Sequence, residues 1–300
     1  MSDRTAAMSR WYVIATPYLW LIVLFLVPFF IVFKLSFSDV ATAIPPYVPV
    51  FDWATGVRDF ISKLDFENYA FIFGDPLYIN AYLSSLKIAA IATFITLLVA
   101  YPMAYGMARA PKSWQPTLMM LVILPFWTSF LIRIYAWIAI LKPEGFLTKF
   151  LMSLGLISEP LQIMNTTTAV YIGIVYSYLP FMILPLYASL EKINPALLEA
   201  AQDLGSRPWK AFWQVTFPLS LPGVFAGCLL VFIPAVGEFV IPDLLGGSET
   251  LMIGKTLWTE FFNNRDWPLA SAVAVLLLIL LLVPIVIFQR QQQREREAGR

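Results

Sequence analysis

The chain has 300 residues, 59% of them hydrophobic and 13% charged, with a formal net charge of +1 and a mean hydropathy of +0.74. Soluble domains carry about 25% charged residues, which excludes a soluble globular domain, and so small a net charge gives no electrostatic footprint for nucleic acid. With no histidine and the single Cys228, His-based triads, His metal sites, a disulfide framework and a Cys-x-x-Cys metal site are all removed.

Apolar windows long enough to cross about 30 Å of hydrocarbon as helix fall at residues 13–33, 88–108, 117–141, 168–190, 222–241 and 268–288. The expectation is an all-α membrane protein with six transmembrane helices over 13–288, an N-terminal segment 1–12 and a tail 289–300. Arg4 and Arg10 precede the first run, and Ala41-Thr42-Ala43 resembles a signal-peptidase site. A signal core is about 7–15 residues, shorter than 13–33, which favours an uncleaved first helix over a removed signal. Residues 34–82 form a first outer loop with Asp39, Asp52, Asp59, Asp65, Glu67 and Asp75, aromatics and Pro45-Pro46. Lys87, at the outer start of the second span, reads as an interfacial anchor that snorkels. The last outer loop, 242–267, carries Asp243, Glu249, Glu260 and Asp266 with Trp258, Phe261 and Phe262. Acidic, aromatic outer loops suit docking of an external protein or attraction of cations; the plainer reading is solvated loops with interfacial rings.

Lys and Arg set the orientation. Arg4, Arg10, Arg109, Lys112, Lys192, Arg207, Lys210, Arg290, Arg294, Arg296 and Arg300 lie on the side of the N-terminus. Only Lys34, Arg58, Lys63, Lys142, Lys149, Lys255 and Arg265 lie in the opposite loops. This bias, with an even number of spans, places both termini in the cytoplasm. Prolines recur in the spans, among them Pro102, Pro125, Pro180, Pro185 and Pro234; they fit a moving pathway, although membrane helices tolerate proline generally.

Charges inside spans are costly and mark candidate functional sites. Arg133 in the third span and Glu238 in the fifth each lie about 16 residues from the cytoplasmic start, about 24 Å up at 1.5 Å per residue. They therefore meet at one depth, and two readings stay open. One is a structural Arg133–Glu238 ion pair. The other is a cation-attracting Glu238, helped by Asp243, with Trp127, Tyr135 or Trp137 as cation–π faces. Cys228 reads as a small packing residue. Ile253-Gly254-Lys255-Thr256 resembles the tail of a P-loop, but the required earlier glycine position holds Glu249.

Residues 191–218 form a long charged insert between two apolar spans. Asn194-Pro195 supplies an N-cap and a first-turn proline. Leu197, Leu198, Ala201 and Leu204 recur at helical spacing, leaving Glu199, Gln202 and Asp203 on a polar face. Gly205 is the expected left-handed stop. Ser206 then caps a second helix carrying Pro208, Trp209, Phe212 and Trp213. Such an elbow, on the positively charged side, reads as a socket for a cytoplasmic partner.

The run Glu199-Ala200-Ala201, three residues, Gly205, nine residues, then Val215-Thr216-Phe217-Pro218 resembles the EAA loop of binding-protein-dependent ABC transporter permeases. It departs from that signature only in Val215 and Phe217, both apolar. Leu124-Pro125-Phe126-Trp127-Thr128-Ser129-Phe130-Leu131-Ile132-Arg133, Gly237-Glu238-Phe239-Val240-Ile241-Pro242-Asp243 and Asn264-Arg265-Asp266-Trp267-Pro268 are similar to segments of polyamine permeases, the putrescine type above all. The resemblance implies a MetI-like importer fold in the bacterial inner membrane, with Glu199, Ala200, Ala201, Gly205 and Pro218 coupling to an ATPase subunit. It also implies a dimer of ATPase subunits holding ATP and Mg, a second permease subunit in a heterodimer, and a periplasmic polyamine-binding protein. No cofactor is expected in this chain itself. A permease for spermidine, ferric iron or an oxyanion is the alternative; a membrane-embedded enzyme lacks convergent acid–base groups, and a passive channel has no need of the elbow.

Overall fold

The computed structural model describes residues 13–50 and 62–298. The N-terminal segment 1–12 with Arg4 and Arg10, the loop residues Asp52, Arg58 and Asp59, and Arg300 lie outside the described residues. In chain order the elements are α1 (Val13–Leu35), the antiparallel pair β1 (Asp39–Val40) and β2 (Tyr47–Val48), α2 (Glu67–Gly74) and α3 (Pro76–Arg109). Then follow α4 (Gln115–Trp127), α5 (Phe130–Leu141), α6 (Phe146–Ser153), α7 (Thr167–Leu190), α8 (Pro195–Asp203) and α9 (Pro208–Val236). The last are α10 (Val240–Leu244), α11 (Ile253–Trp258) and α12 (Trp267–Ala298). Among the described residues, α1, α3, α7, α9 and α12 are each long and apolar enough to cross a membrane, and α4 with Phe130–Ser153 makes a bent sixth. The protein is thus a helical, multi-pass membrane protein. Helix is what hydrocarbon demands, because it satisfies every backbone polar group within the segment.

The chain divides into two compact units, one from the described residues of Met1–Ile79 with Leu257–Leu280, the second from Asn80–Thr256 with Leu281–Arg300. In the first unit, Asn68 on α2 donates to the carbonyls of Ser36 and Ser38 at 3.2 and 2.7 Å, tying α2 to the end of α1. Tyr78 donates to the buried Glu260 carboxylate at 2.9 Å, and Asn264 donates to its other oxygen at 2.7 Å.

In the second unit α7 is the central helix, packed against α9 around Met182, Ile183, Leu186 and Val231. Two glycines allow the approach. A Cβ on Gly223 would lie 2.6 Å from the Ser189 Cβ and 2.7 Å from the Pro185 carbonyl; one on Gly227 would lie 2.6 Å from the Met182 sulfur. Without a hydrophobic drive between helices in lipid, such small-residue contact is what holds them together.

Two spans, the third and the fifth, depart in form from the expectation. The window 117–141 is not one helix: it bends by 90° between Trp127 and Phe130. Both the N–H and the hydroxyl of Thr128 take the Pro125 carbonyl, at 3.3 and 2.7 Å, which is the acceptor Ser129 needs to continue the helix. The fifth span starts at Pro208 rather than 222, so the second helix of the insert is the foot of α9 itself. Its turn Phe212–Thr216 is widened, with the Phe217 N–H reaching the Phe212 carbonyl, which makes room for Pro218, a residue that cannot donate. The N-cap of that helix is Arg207, not Ser206, whose hydroxyl is buried without a partner. The fifth span also ends early, at Val236, so Glu238 lies beyond it rather than inside it.

The glycine contacts can be tested directly. Gly223→Val should lower the yield and melting temperature of detergent-purified protein, because overpacking costs about 1–3 kcal/mol of stability. Gly106→Ala, where an added Cβ meets nothing within 4 Å, should leave both unchanged in the same melting assay. Equal behaviour of the two variants contradicts the packing account.

A candidate substrate pocket and coupling insert

Glu238 sits in the break between α9 and α10. α9 stops at Val236 with Gly237 as its C-cap, and Pro242, which has no N–H for the Glu238 carbonyl, removes one of the bonds that would continue it. The Glu238 side chain turns back instead, its Oε1 accepting from the N–H groups of Phe239, Val240 and Ile241 at 3.2, 3.0 and 3.4 Å. Its Oε2 accepts from the Tyr178 hydroxyl at 2.5 Å. Although only 8% exposed, the carboxylate therefore has each oxygen satisfied, as buried charge requires. Close backbone packing holds the break in place. A Cβ on Gly254 would collide with the carbonyls of Gly237 and Glu238, and one on Gly173 would lie 2.8 Å from Ile241 Cγ2.

The break faces a pocket of about 480 Å³ lined by Phe126, Phe130, Arg133, Tyr178, Phe181 and Glu238 among others. Arg133 and Glu238 thus share one pocket, as their common depth led us to expect, but no ion pair joins them. The Arg133 guanidinium lies over the rings of Phe126 and Phe130, at 5.1 and 5.7 Å, and its buried Nε has no hydrogen-bond partner. The bend after Trp127 is what turns α5 so that Arg133 enters this pocket. The other expected residues do not join the lining. Trp127 is 76% exposed and Tyr135 is exposed too, Trp137 packs edge-on against Tyr176 at 5.4 Å, and Asp243 is paired with Lys255 at 3.3 Å. Phe126, Phe130, Tyr178 and Phe181 were missed by sequence reasoning; the prolines directly before Phe126 and Phe181, Pro125 and Pro180, were the available signal.

The insert has the caps its residues imply. Asn194 Oδ1 accepts from the Ala196 N–H at 3.1 Å. Gly205, at φ +80°, closes α8 with the Gly205 N–H on the Gln202 carbonyl at 2.8 Å and the Ser206 N–H on the Ala201 carbonyl at 2.9 Å. This is the Schellman pairing. No residue of α8 is buried: Glu199 and Ala200 are exposed, Ala201 is half-buried, and Leu197, Leu204 and Trp209 stand out as exposed apolar groups. Pro218 is exposed on α9. At the entry to the insert, Lys112 donates to Glu191 at 3.0 Å. That hydrogen bond holds the Glu191 carboxyl below the usual carboxylate range.

Residues 97–297 match the family described as binding-protein-dependent transport system inner membrane component. The spermidine/putrescine transport system permease protein PotB of Haemophilus influenzae is 42% identical over 261 residues, 87% of this chain and 86% of that protein. PotB of Escherichia coli K12 is 48% identical over 200 residues, 67% of this chain and 73% of its own length. Among solved structures, a bacterial alginate ABC transporter in complex with alginate pentasaccharide-bound periplasmic protein superposes with a TM-score of 0.72 at 15% identity, covering 97% of this chain and 96% of that one. The MetNI methionine ABC transporter superposes at 0.54 with 17% identity, covering 73% of this chain and 95% of that one. These likenesses show the MetI-like fold. By its exposed, capped insert, its helical spans and this match over most of its length, the chain belongs to the family of binding-protein-dependent ABC transporter inner-membrane permeases, and is a transporter subunit rather than an enzyme.

Proposed function

We propose that the chain is a permease subunit of an ATP-driven importer of polyamines, passing them inward by alternating access with no bond made or broken. The observation that carries the reading is the Glu238 carboxylate in an aromatic-walled pocket of a chain whose relatives are named for spermidine and putrescine. A carboxylate offers about four lone-pair sites; Oε1 accepts three N–H groups and Oε2 accepts one hydroxyl. An ammonium group entering the pocket therefore competes with a single movable hydroxyl, while the backbone donors keep the carboxylate fixed. Phe181 and Tyr178 supply ring faces for the cation, and Phe126 and Phe130, which lie under Arg133, supply apolar walls for the substrate's methylene chain. The relatives' name covers both polyamines, which widens the substrate from putrescine alone to the class.

The exposed α8, with Glu199, Ala200, Ala201 and Gly205, is the dock for an ATPase subunit, and Pro218 lets the foot of α9 follow it. A pair of such ATPase subunits binds ATP and Mg, a second permease subunit completes the pathway, and a periplasmic polyamine-binding protein delivers substrate. Both chain ends lie in the cytoplasm, as the Lys/Arg bias indicates.

Glu238→Gln should leave the complex assembled and reduce uptake of labelled spermidine and putrescine by about tenfold or more, the scale of a lost charged hydrogen bond. Loss of the protein from the membrane, or uptake equal to wild type, contradicts the substrate role. Separately, Glu199→Lys should weaken co-purification of the ATPase while the permease keeps its melting temperature; full recovery of the ATPase with the variant contradicts the docking role.

A further inference from the structure

Gln115 is a buried amide, 5% exposed, at the start of α4. Its Nε2 donates to the carbonyls of Ala108 and Ala110, at 3.3 and 3.1 Å, where α3 ends. Its Oε1 accepts from the Tyr187 hydroxyl on α7 at 3.1 Å. One side chain thus joins the end of α3, the start of α4 and the last turn of α7, immediately before the insert begins. Beside it, the Lys112–Glu191 pair at 3.0 Å ties the same α3–α4 connection to the insert's first residue. A turn between two apolar helices needs no buried amide, and a buried polar group is costly unless satisfied. Here it is satisfied on both sides.

The placement has a mechanical consequence. The insert hangs from α7 at its entry and runs straight into α9 at its exit, and those helices are locked together at Gly223 and Gly227. A push on α8 therefore moves α7 and α9, with Tyr178 and Glu238, as one body. The opposite wall of the pocket, Phe126, Phe130 and Arg133, belongs to the bent α4–α5 crossing. We infer that the Gln115–Tyr187 hydrogen bond is the pivot between these two bodies: it pins the base of α4 to α7, so that displacement of the insert is converted into opening and closing at the Phe126–Arg133 end. Gln115 and Tyr187 are positioning residues in this account and touch no substrate. The inference rests on α8 being the ATPase dock.

Tyr187→Phe removes the tie and leaves the Gln115 bonds to Ala108 and Ala110 in place; Gln115→Met removes all three. Each is made in a Cys228→Ala, Ser177→Cys background, Ser177 being a buried residue of the same pocket, assembled with the ATPase in proteoliposomes, and the labelling rate of the cysteine at position 177 by a thiol reagent is compared before and after trapping with ATP and vanadate. The parent should change its labelling rate on trapping by about fivefold or more, the scale of a conformational coupling of about 1 kcal/mol, and the tie variants should assemble, hydrolyse ATP and lose most of that change. Retention of the full change in an assembled variant overturns the inference, as does a parent that ignores ATP, or loss of the complex in both variants, which leaves the pair a purely structural role. The readout needs no polyamine, so absence of polyamine uptake by the wild-type importer sinks the substrate reading alone.

Discussion

Helices α7 and α9 touch at backbone distance, and most of the second unit follows from that contact. Gly223 and Gly227 lie where any side chain would strike Ser189, Pro185 or Met182, so the two helices pack at backbone contact. Because α9 is continuous from Pro208 to Val236, one rigid pair reaches from the exposed insert at one end to the Glu238 break at the other. Bilayer interiors give little hydrophobic reward for bringing helices together; shape-matched small residues do the work instead.

At the far end of that pair, the chemistry depends on a proline and a carboxylate acting together. Pro242 removes one bond of a continuous helix, and Glu238 takes the three N–H groups that the break sets free. The same side chain is thereby fixed at a buried site, where an unsatisfied carboxylate is expensive. Tyr178 is its one side-chain partner, which leaves a carboxylate that is stable without substrate and open to an ammonium group by the movement of a single hydroxyl. Arg133, resting on Phe126 and Phe130, lines the same pocket with no ion pair to Glu238.

Much of this was legible from residue order. Apolar windows located the spans because hydrocarbon thickness sets their length, and Asn194, Pro195 and Gly205 gave both ends of α8 because caps depend on local chemistry. Arg133 and Glu238 were found as intramembrane charges at one depth, and they do share a pocket. What stayed hidden depended on choices between competing partners. The 90° bend turns on Thr128 taking the Pro125 carbonyl ahead of Ser129, and no periodicity records that competition. The early start of α3 at Pro76 was masked by polar residues such as Asn80, Ser84, Ser85 and Lys87, which lower the local hydropathy. Aromatic content alone did not separate Phe126 and Tyr178, which line the pocket, from Trp127, Tyr135 and Trp137, which do not, because a bent helix redistributes its faces.

The central claim is that this permease carries polyamines, and the most direct measurement is uptake of labelled spermidine and labelled putrescine in cells lacking the gene, with and without the wild-type chain restored. The account predicts that uptake of at least one of the two disappears with the gene and returns with it, and that excess unlabelled polyamine abolishes the restored signal. Uptake of both that is indifferent to the gene contradicts the polyamine assignment, while the chain's place among the binding-protein-dependent permeases stands.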